Sequence, residues 1–133
     1  MQSFNLKITT PNGEKFDGTC ESVIVRTLQG DVAILARHTD YVTALSAGKC
    51  TVTVGGEKRT AACIGGVLSV IKGNATILAS SFEWSDEIDL ERAKEALEKG
   101  KSRLAAAHDS KEVDLAKLRI MRALTRINVA EKK

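Results

Sequence analysis

The stretch Ala75-Thr76-Ile77-Leu78-Ala79-Ser80-Ser81-Phe82-Glu83-Trp84-Ser85-Asp86-Glu87-Ile88-Asp89-Leu90-Glu91-Arg92-Ala93 changes its pattern in the middle. Its first part is a short β-type run. Its second part is charged and made of helix formers. The rest of the chain divides the same way. Val, Ile and Thr crowd the first 84 residues, where the one proline (Pro11) and all ten glycines but Gly100 also lie. From Ser85 onward Ala, Leu, Glu, Lys and Arg dominate. The composition shift predicts an α+β chain with a boundary at Glu83-Trp84-Ser85-Asp86. A β-domain is expected over 1–84 and a helical domain over 85–133.

Upstream, short strands alternate with turn signals. Phe4, Leu6 and Ile8 share one face, and Pro11-Asn12-Gly13 turns the chain. Cys20 to Val25 alternates loosely, Gln29-Gly30-Asp31 turns again, and Val32 to Leu35 is a short apolar run. Cys50 to Val54 and Arg59 to Ile64 flank Gly55-Gly56-Glu57-Lys58 as a hairpin. Gly65-Gly66 and Lys72-Gly73-Asn74 bracket Val67 to Ile71, and Ala75 to Ala79 closes the set. Repeated short strands of this kind predict a β-sandwich or barrel.

Downstream, Leu90, Ala93, Leu97, Gly100 and Leu104 follow a 3-4 spacing. So do Val113, Ala116, Ile120, Ala123, Ile127 and Ala130. Two such stripes predict an antiparallel two-helix hairpin with its turn at Ala107-His108-Asp109. Asp109 and Glu112 form a capping-box variant at the start of the second helix. The seam is mostly alanine. Each Ala buries little area, so the hairpin is expected to be weakly held and a candidate moving part.

The 133 residues suit one domain or two small lobes. With 43% apolar and 28% charged residues, the chain is neither disordered nor membrane-spanning. A net charge of +3 does not by itself argue for nucleic acid. Met1-Gln2-Ser3-Phe4 is not a basic cluster leading into an apolar run, so no signal peptide is expected. Cys20, Cys50 and Cys63 form no CxxC pair, and no metal site is expected. They read as free core thiols, although a turn at Gly56-Glu57 would set Cys50 directly across from Cys63. No catalytic motif is present, so no enzyme activity is expected of the chain alone.

Three features stand out as candidate sites. His38 reads as a turn or packing histidine, with a ligand or switch role as the alternative. The acids Asp86, Glu87 and Asp89 suit a helix start, and Asp89 and Arg92 are spaced to pair on the surface. From Leu115 on, Lys117, Arg119, Arg122, Arg126, Lys132 and Lys133 face one acid, Glu131. Arg119, Arg122 and Arg126 fall within about 60° on a helical wheel. Two readings stay open for them: a solvated face, or a site for an acidic protein surface or nucleotide phosphate. Nucleic acid is disfavoured because this half lacks stacking aromatics.

The whole pattern resembles the epsilon subunit of F-type ATP synthases of the bacterial type, over nearly the full length. The resemblance rests on ordered segments. These are Ile8-Thr9-Thr10-Pro11, Gly30-Asp31-Val32-Ala33-Ile34-Leu35-Ala36-Arg37-His38, Leu45 with Gly48, Gly65-Gly66-Val67-Leu68-Ser69-Val70, Ala75-Thr76-Ile77-Leu78-Ala79 and Ile88-Asp89-Leu90-Glu91-Arg92-Ala93. It implies an N-terminal β-sandwich that joins the gamma subunit and the c-ring, with rotor contacts at Gly30, Asp31 and His38. It implies a peripheral place at the cytoplasmic face of the cell membrane, without membrane insertion, and a share in coupling ion flow to rotation. It also implies C-terminal helices that inhibit ATP hydrolysis by reaching the alpha and beta subunits, through Arg119, Arg122 and Arg126.

Some family members bind ATP through an Ile/Leu-Asp-x-x-Arg-Ala motif. Ile88, Asp89, Arg92 and Ala93 match it, Glu83 stands at the nearby acid, and Arg122 and Arg126 match the second-helix arginines. The resemblance therefore implies ATP as a regulatory ligand, with no cofactor required. Lys99 stands where an ATP-binding member has arginine and lacks the planar fork. Other departures are Thr39-Asp40-Tyr41 in place of His-x-Pro, Ala33 for a common glycine, Val67 and Ser69 where many members carry Phe and Glu, and Trp84 at the linker. A free-standing ATP-binding sensor and a plain interaction module are the rival functions.

Overall fold

A computed structural model describes residues 2–131. The chain divides into two compact units, one ending at Trp84 and one beginning at Ser85. The first contains eight strands: β1 (Phe4–Thr10), β2 (Gly13–Cys20), β3 (Ser22–Thr27), β4 (Gly30–Leu35), β5 (Tyr41–Leu45), β6 (Gly48–Val54), β7 (Glu57–Ile71) and β8 (Asn74–Trp84). The second contains a 3-10 turn (Ser85–Glu87), α1 (Leu90–Ala105) and α2 (Ser110–Glu131).

The two long strands build the sandwich. β7 pairs antiparallel with β8 from Ala61 to Ile71. Its first half, to Cys63, pairs with β6, and its second half, from Gly66, pairs with β5. β1 joins the start of β8 in parallel and carries β2 outside it. β3 and β4 form a hairpin that continues from β6. One chain of hydrogen-bonded strands thereby folds over a single core. Leu6, Ile8, Val23, Val25, Ile34, Val52, Leu68, Val70 and Ile77 are fully buried there. At the end of β8, Trp84 is buried, its Nε1 donating to the Lys15 carbonyl at 3.3 Å, its ring 5.0 Å from Phe82 and 3.8 Å beneath the Arg59 guanidinium.

The structure corrects three strand expectations. Gly65-Gly66 does not end a strand. Both glycines have positive φ (72° and 122°), and a Cβ on Gly66 would lie 2.2 Å from the Leu78 carbonyl oxygen, so they kink β7 where it changes partner. The β6–β7 turn is Gly55-Gly56, with φ of 58° and 81°, because a two-residue hairpin turn favours positive φ at both central positions. That turn lies one residue before Gly56-Glu57, so Cys50 faces Ala61 and Cys63 faces Gly48. All three cysteines are free and buried. Finally, Cys20 and Val23 belong to different strands, with Glu21 between them.

In the helical unit the inward stripe matches the 3-4 spacing. Ala93, Gly100, Ala116, Ala123 and Ala130 are buried, and Leu97, Leu104, Val113, Ile120 and Ile127 are half-buried. Gly100 sits against Ile120, whose Cγ1 would be 2.9 Å from an added Cβ. The helices approach closely because that position has no side chain.

Candidate functional site

Asp89 stands just before α1 in an extended conformation (φ −83°, ψ 101°), and its Oδ1 accepts from the Arg92 N–H at 3.1 Å. It is therefore the N-cap, satisfying one of the helix's orphan donors. The contact shown between Asp89 and Arg92 is with backbone, not the side-chain pair their spacing suggested. At α2, Asp109 Oδ1 accepts from the Glu112 N–H at 2.8 Å. Glu112 Oε2 accepts from the His108 N–H at 2.9 Å. This is a capping box whose return bond lands one residue early.

Between the two helices lies a groove of about 250 Å³. Lys99 and Arg103 line it from α1, and Arg119, Arg122 and Arg126 from α2. Ala96, Gly100 and Ala123 form its floor. Among the described residues no carboxylate lines it. Lys99 and Arg103 are like charges at i,i+4, opposing α1 by about 0.2–0.5 kcal/mol. A polyanion in the groove would reverse that repulsion and bridge the two helices. A second cavity of about 290 Å³ continues past Arg103 and Arg119 to Leu115.

The structure brings together Lys99, Arg119, Arg122 and Arg126 from the residues expected on sequence. It adds Arg103, which sequence reasoning missed although it stands one turn beyond Lys99. Ile88, Asp89, Arg92 and Ala93 do not line this groove; they belong to the start of α1. Arg92 nevertheless falls within about 40° of Ala96, Lys99 and Arg103 on the helical wheel, extending the same stripe toward the N-terminus. Glu83 is half-buried at the end of β8, paired across the sheet with Ala62. Lys132 and Lys133 lie outside the described residues.

In the sandwich, Gly30 and Asp31 open β4. Asp31 Oδ1 accepts from Arg26 Nε at 2.7 Å across the β3–β4 hairpin, and that bond raises the Arg26 pKa. His38 lies beyond the other end of β4, in the loop before β5, with its Nδ1 2.7 Å from the Thr39 carbonyl. The expected rotor contacts are thus split between the two ends of one strand. The cysteines are not reactive groups: burial pushes Cys20 up to about 11 and Cys63 up to about 12, and holds Cys50 well above its ordinary value. Among the described residues no cluster fit to hold a metal occurs, and no helix is long and apolar enough to cross a membrane.

Comparison with known proteins gives a consistent result. Residues 3–85 match the family model "ATP synthase, Delta/Epsilon chain, beta-sandwich domain", and residues 86–131 match "ATP synthase, Delta/Epsilon chain, long alpha-helix domain". The ATP synthase epsilon chain of Ruminococcus albus is 37% identical, with 100% of both chains covered. That of Caldicellulosiruptor bescii is 34% identical, covering 98% of this chain and 96% of the relative. Among solved structures, a chain of the Euglena gracilis mitochondrial ATP synthase shares the fold with a TM-score of 0.81 at 22% identity. The match covers 95% of this chain and 79% of that one.

Proposed function

The chain belongs to the delta/epsilon family of ATP synthase chains, among the bacterial epsilon chains, and on that premise we propose that it is a non-catalytic subunit of the central stalk whose helical hairpin restrains ATP hydrolysis and senses ATP. The observation that carries the regulatory part is the groove of five basic side chains between α1 and α2. In this reading the sandwich binds the gamma subunit and the c-ring, near Gly30, Asp31 and His38, and helps couple ion flow to rotation. The complex, and with it this chain, sits at the cytoplasmic face of the membrane.

The mechanism is a population shift. The hairpin seam is small, so folded and extended states differ little in energy. ATP stabilises the state it binds better. Its phosphates would take Lys99, Arg122 and Arg126, while Arg92, Ala93 and the Ile88-Asp89 lead into α1 would meet the rest of the nucleotide. In the extended state Arg119, Arg122 and Arg126 would instead meet acidic residues of the alpha and beta subunits. The same arginines serve two competing partners, so bound ATP releases the brake.

The decisive experiment compares ATP hydrolysis by the assembled catalytic head carrying the full chain or a chain ending at Trp84. Truncation should raise the rate several-fold; an unchanged rate removes the brake from this reading. Replacing Arg122 and Arg126 together by Ala should weaken both inhibition and ATP binding, the latter measured calorimetrically on the full chain. Loss of neither overturns the shared-arginine mechanism.

A further inference from the structure

One cavity of the sandwich unit is separate from the basic groove of the helices. It is an open groove of about 860 Å³ formed by the start of β1, the loop after β4 and the β7–β8 turn. Arg37, His38 and Lys72 line it, with Asn5, Asn74 and Thr19 between them. Arg37 and Lys72 have φ of 65° and 50°, and they are the two non-glycine residues of positive φ among the described residues. Lys72 opens the two-residue β7–β8 turn, where positive φ is the ordinary requirement, and Arg37 adopts it in the loop after β4, so both backbones are set by the turns that carry them.

The surrounding bonds fix the donors. Asp40 Oδ1 accepts from the Lys72 backbone N–H at 2.9 Å, so the nearby carboxylate holds the turn. The Thr39 carbonyl can only accept, so His38 Nδ1 carries the proton and is spent on that bond. Asn5 Nδ2 donates to Asn74 Oδ1 at 3.3 Å, which leaves the Asn74 amide hydrogens for another acceptor. Among the described residues, neither Arg37 nor Lys72 forms an ion pair and no carboxylate lines the groove.

We infer that this groove is a second anion site, taking a phosphate group of more than one charge. A guanidinium fork, an ammonium and neutral donors line the groove from four segments, which suits the many acceptor oxygens of a phosphate. A free phosphate ester and a phospholipid headgroup present the same chemistry. The site is independent of ATP binding by the hairpin, but it shares His38 with the proposed rotor contact, so phosphate and rotor compete for that residue.

The test titrates pyrophosphate into the isotope-labelled full chain and follows backbone amide resonances, with chloride at matched ionic strength as the control. Amides of Arg37, His38, Lys72 and Gly73 should shift with pyrophosphate and not with chloride. The double variant Arg37→Asn, Lys72→Asn removes both charges while keeping residues that tolerate positive φ. It should bind about tenfold or more weakly, with the remaining spectrum unchanged. Lys49→Gln, on the exposed side of β6, should bind as the parent does. Sedimentation with phosphatidylglycerol vesicles against phosphatidylcholine vesicles separates the sources. Vesicle binding lost in the double variant assigns a headgroup, and pyrophosphate shifts without vesicle binding assign a free phosphate. Absence of both responses, or equal responses in parent and double variant, overturns the inference.

Discussion

The sandwich and the hairpin are stabilised by different means. The sandwich buries Leu6, Ile8, Ile34, Leu68 and Ile77 completely, and each side chain of that size contributes about 1.5–3 kcal/mol. The hairpin's buried positions are almost all alanine or glycine, and its larger seam residues stay half-exposed. Small residues let α1 and α2 approach closely at Gly100 but take little apolar area from water. Evenly matched states are easier to reach in the second design than in the first. That is why the regulatory reading rests on the helices and the scaffold reading on the strands.

The largest effect that would sharpen this contrast is in the core. Leu68→Ala should cost about 3 kcal/mol, read by denaturant unfolding followed through Trp84 fluorescence. A cost below 1 kcal/mol would mean the sandwich is also loosely held. Next is Gly100→Val. Its Cβ would collide with Ile120, and overpacking of this kind costs about 1–3 kcal/mol. Helical circular dichroism should fall while the Trp84 transition stays in place. A shift of both together would break the contrast.

Legibility in the sequence followed the same division. The helix stripes were readable because a 3-4 spacing repeats over many turns, and Ala93, Gly100, Ala116, Ala123 and Ala130 are buried as that spacing requires. Strands were readable where apolar residues alternate or run together, as in Phe4, Leu6 and Ile8 of β1 and Val32–Leu35 of β4. β2, Gly-Glu-Lys-Phe-Asp-Gly-Thr-Cys, pairs in the sheet with β1 alone, and Cys20 is its one buried residue, so its alternation is too faint to see. β5 was hidden in the Thr39-Asp40-Tyr41 loop. Gly65-Gly66 looked like a break because sequence cannot tell a kink that changes partners from a turn. In the basic groove, the arginines of α2 were visible as a stripe. Arg103 was not, because its role depends on which face of α1 meets α2.

A smaller effect separates structure from ligand binding at Asp89. Asp89→Ala should cost about 1 kcal/mol through the lost N-cap bond to Arg92, whereas Asp89→Asn caps about as well and should leave helicity intact. Calorimetry with ATP then decides the carboxylate's role. Weaker binding in Asp89→Asn at unchanged helicity assigns the charge to the ligand. Unchanged binding makes Asp89 a cap alone.

The smallest effect belongs to the sandwich and is visible only through pH. Glu21 follows β2, and its carboxylate accepts from the Gly55 and Gly56 N–H groups at 2.7 and 2.9 Å, bracing the β6–β7 turn. Those two bonds pull its pKa below the usual carboxylate value. A carboxyl group with a lowered folded pKa binds its proton more readily in the unfolded chain. Its stabilisation is therefore complete above the unfolded pKa, near 4.5, and is lost as pH falls through the lower folded value. Glu21→Gln has no such group, and every other carboxylate is common to both proteins. The difference in unfolding midpoint between parent and variant, read at Trp84, should be constant from pH 7 to about pH 5 and shrink toward zero below about pH 4. A difference that stays constant through the acid range would show that the turn is held by Gly55 and Gly56 alone, with Glu21 a bystander.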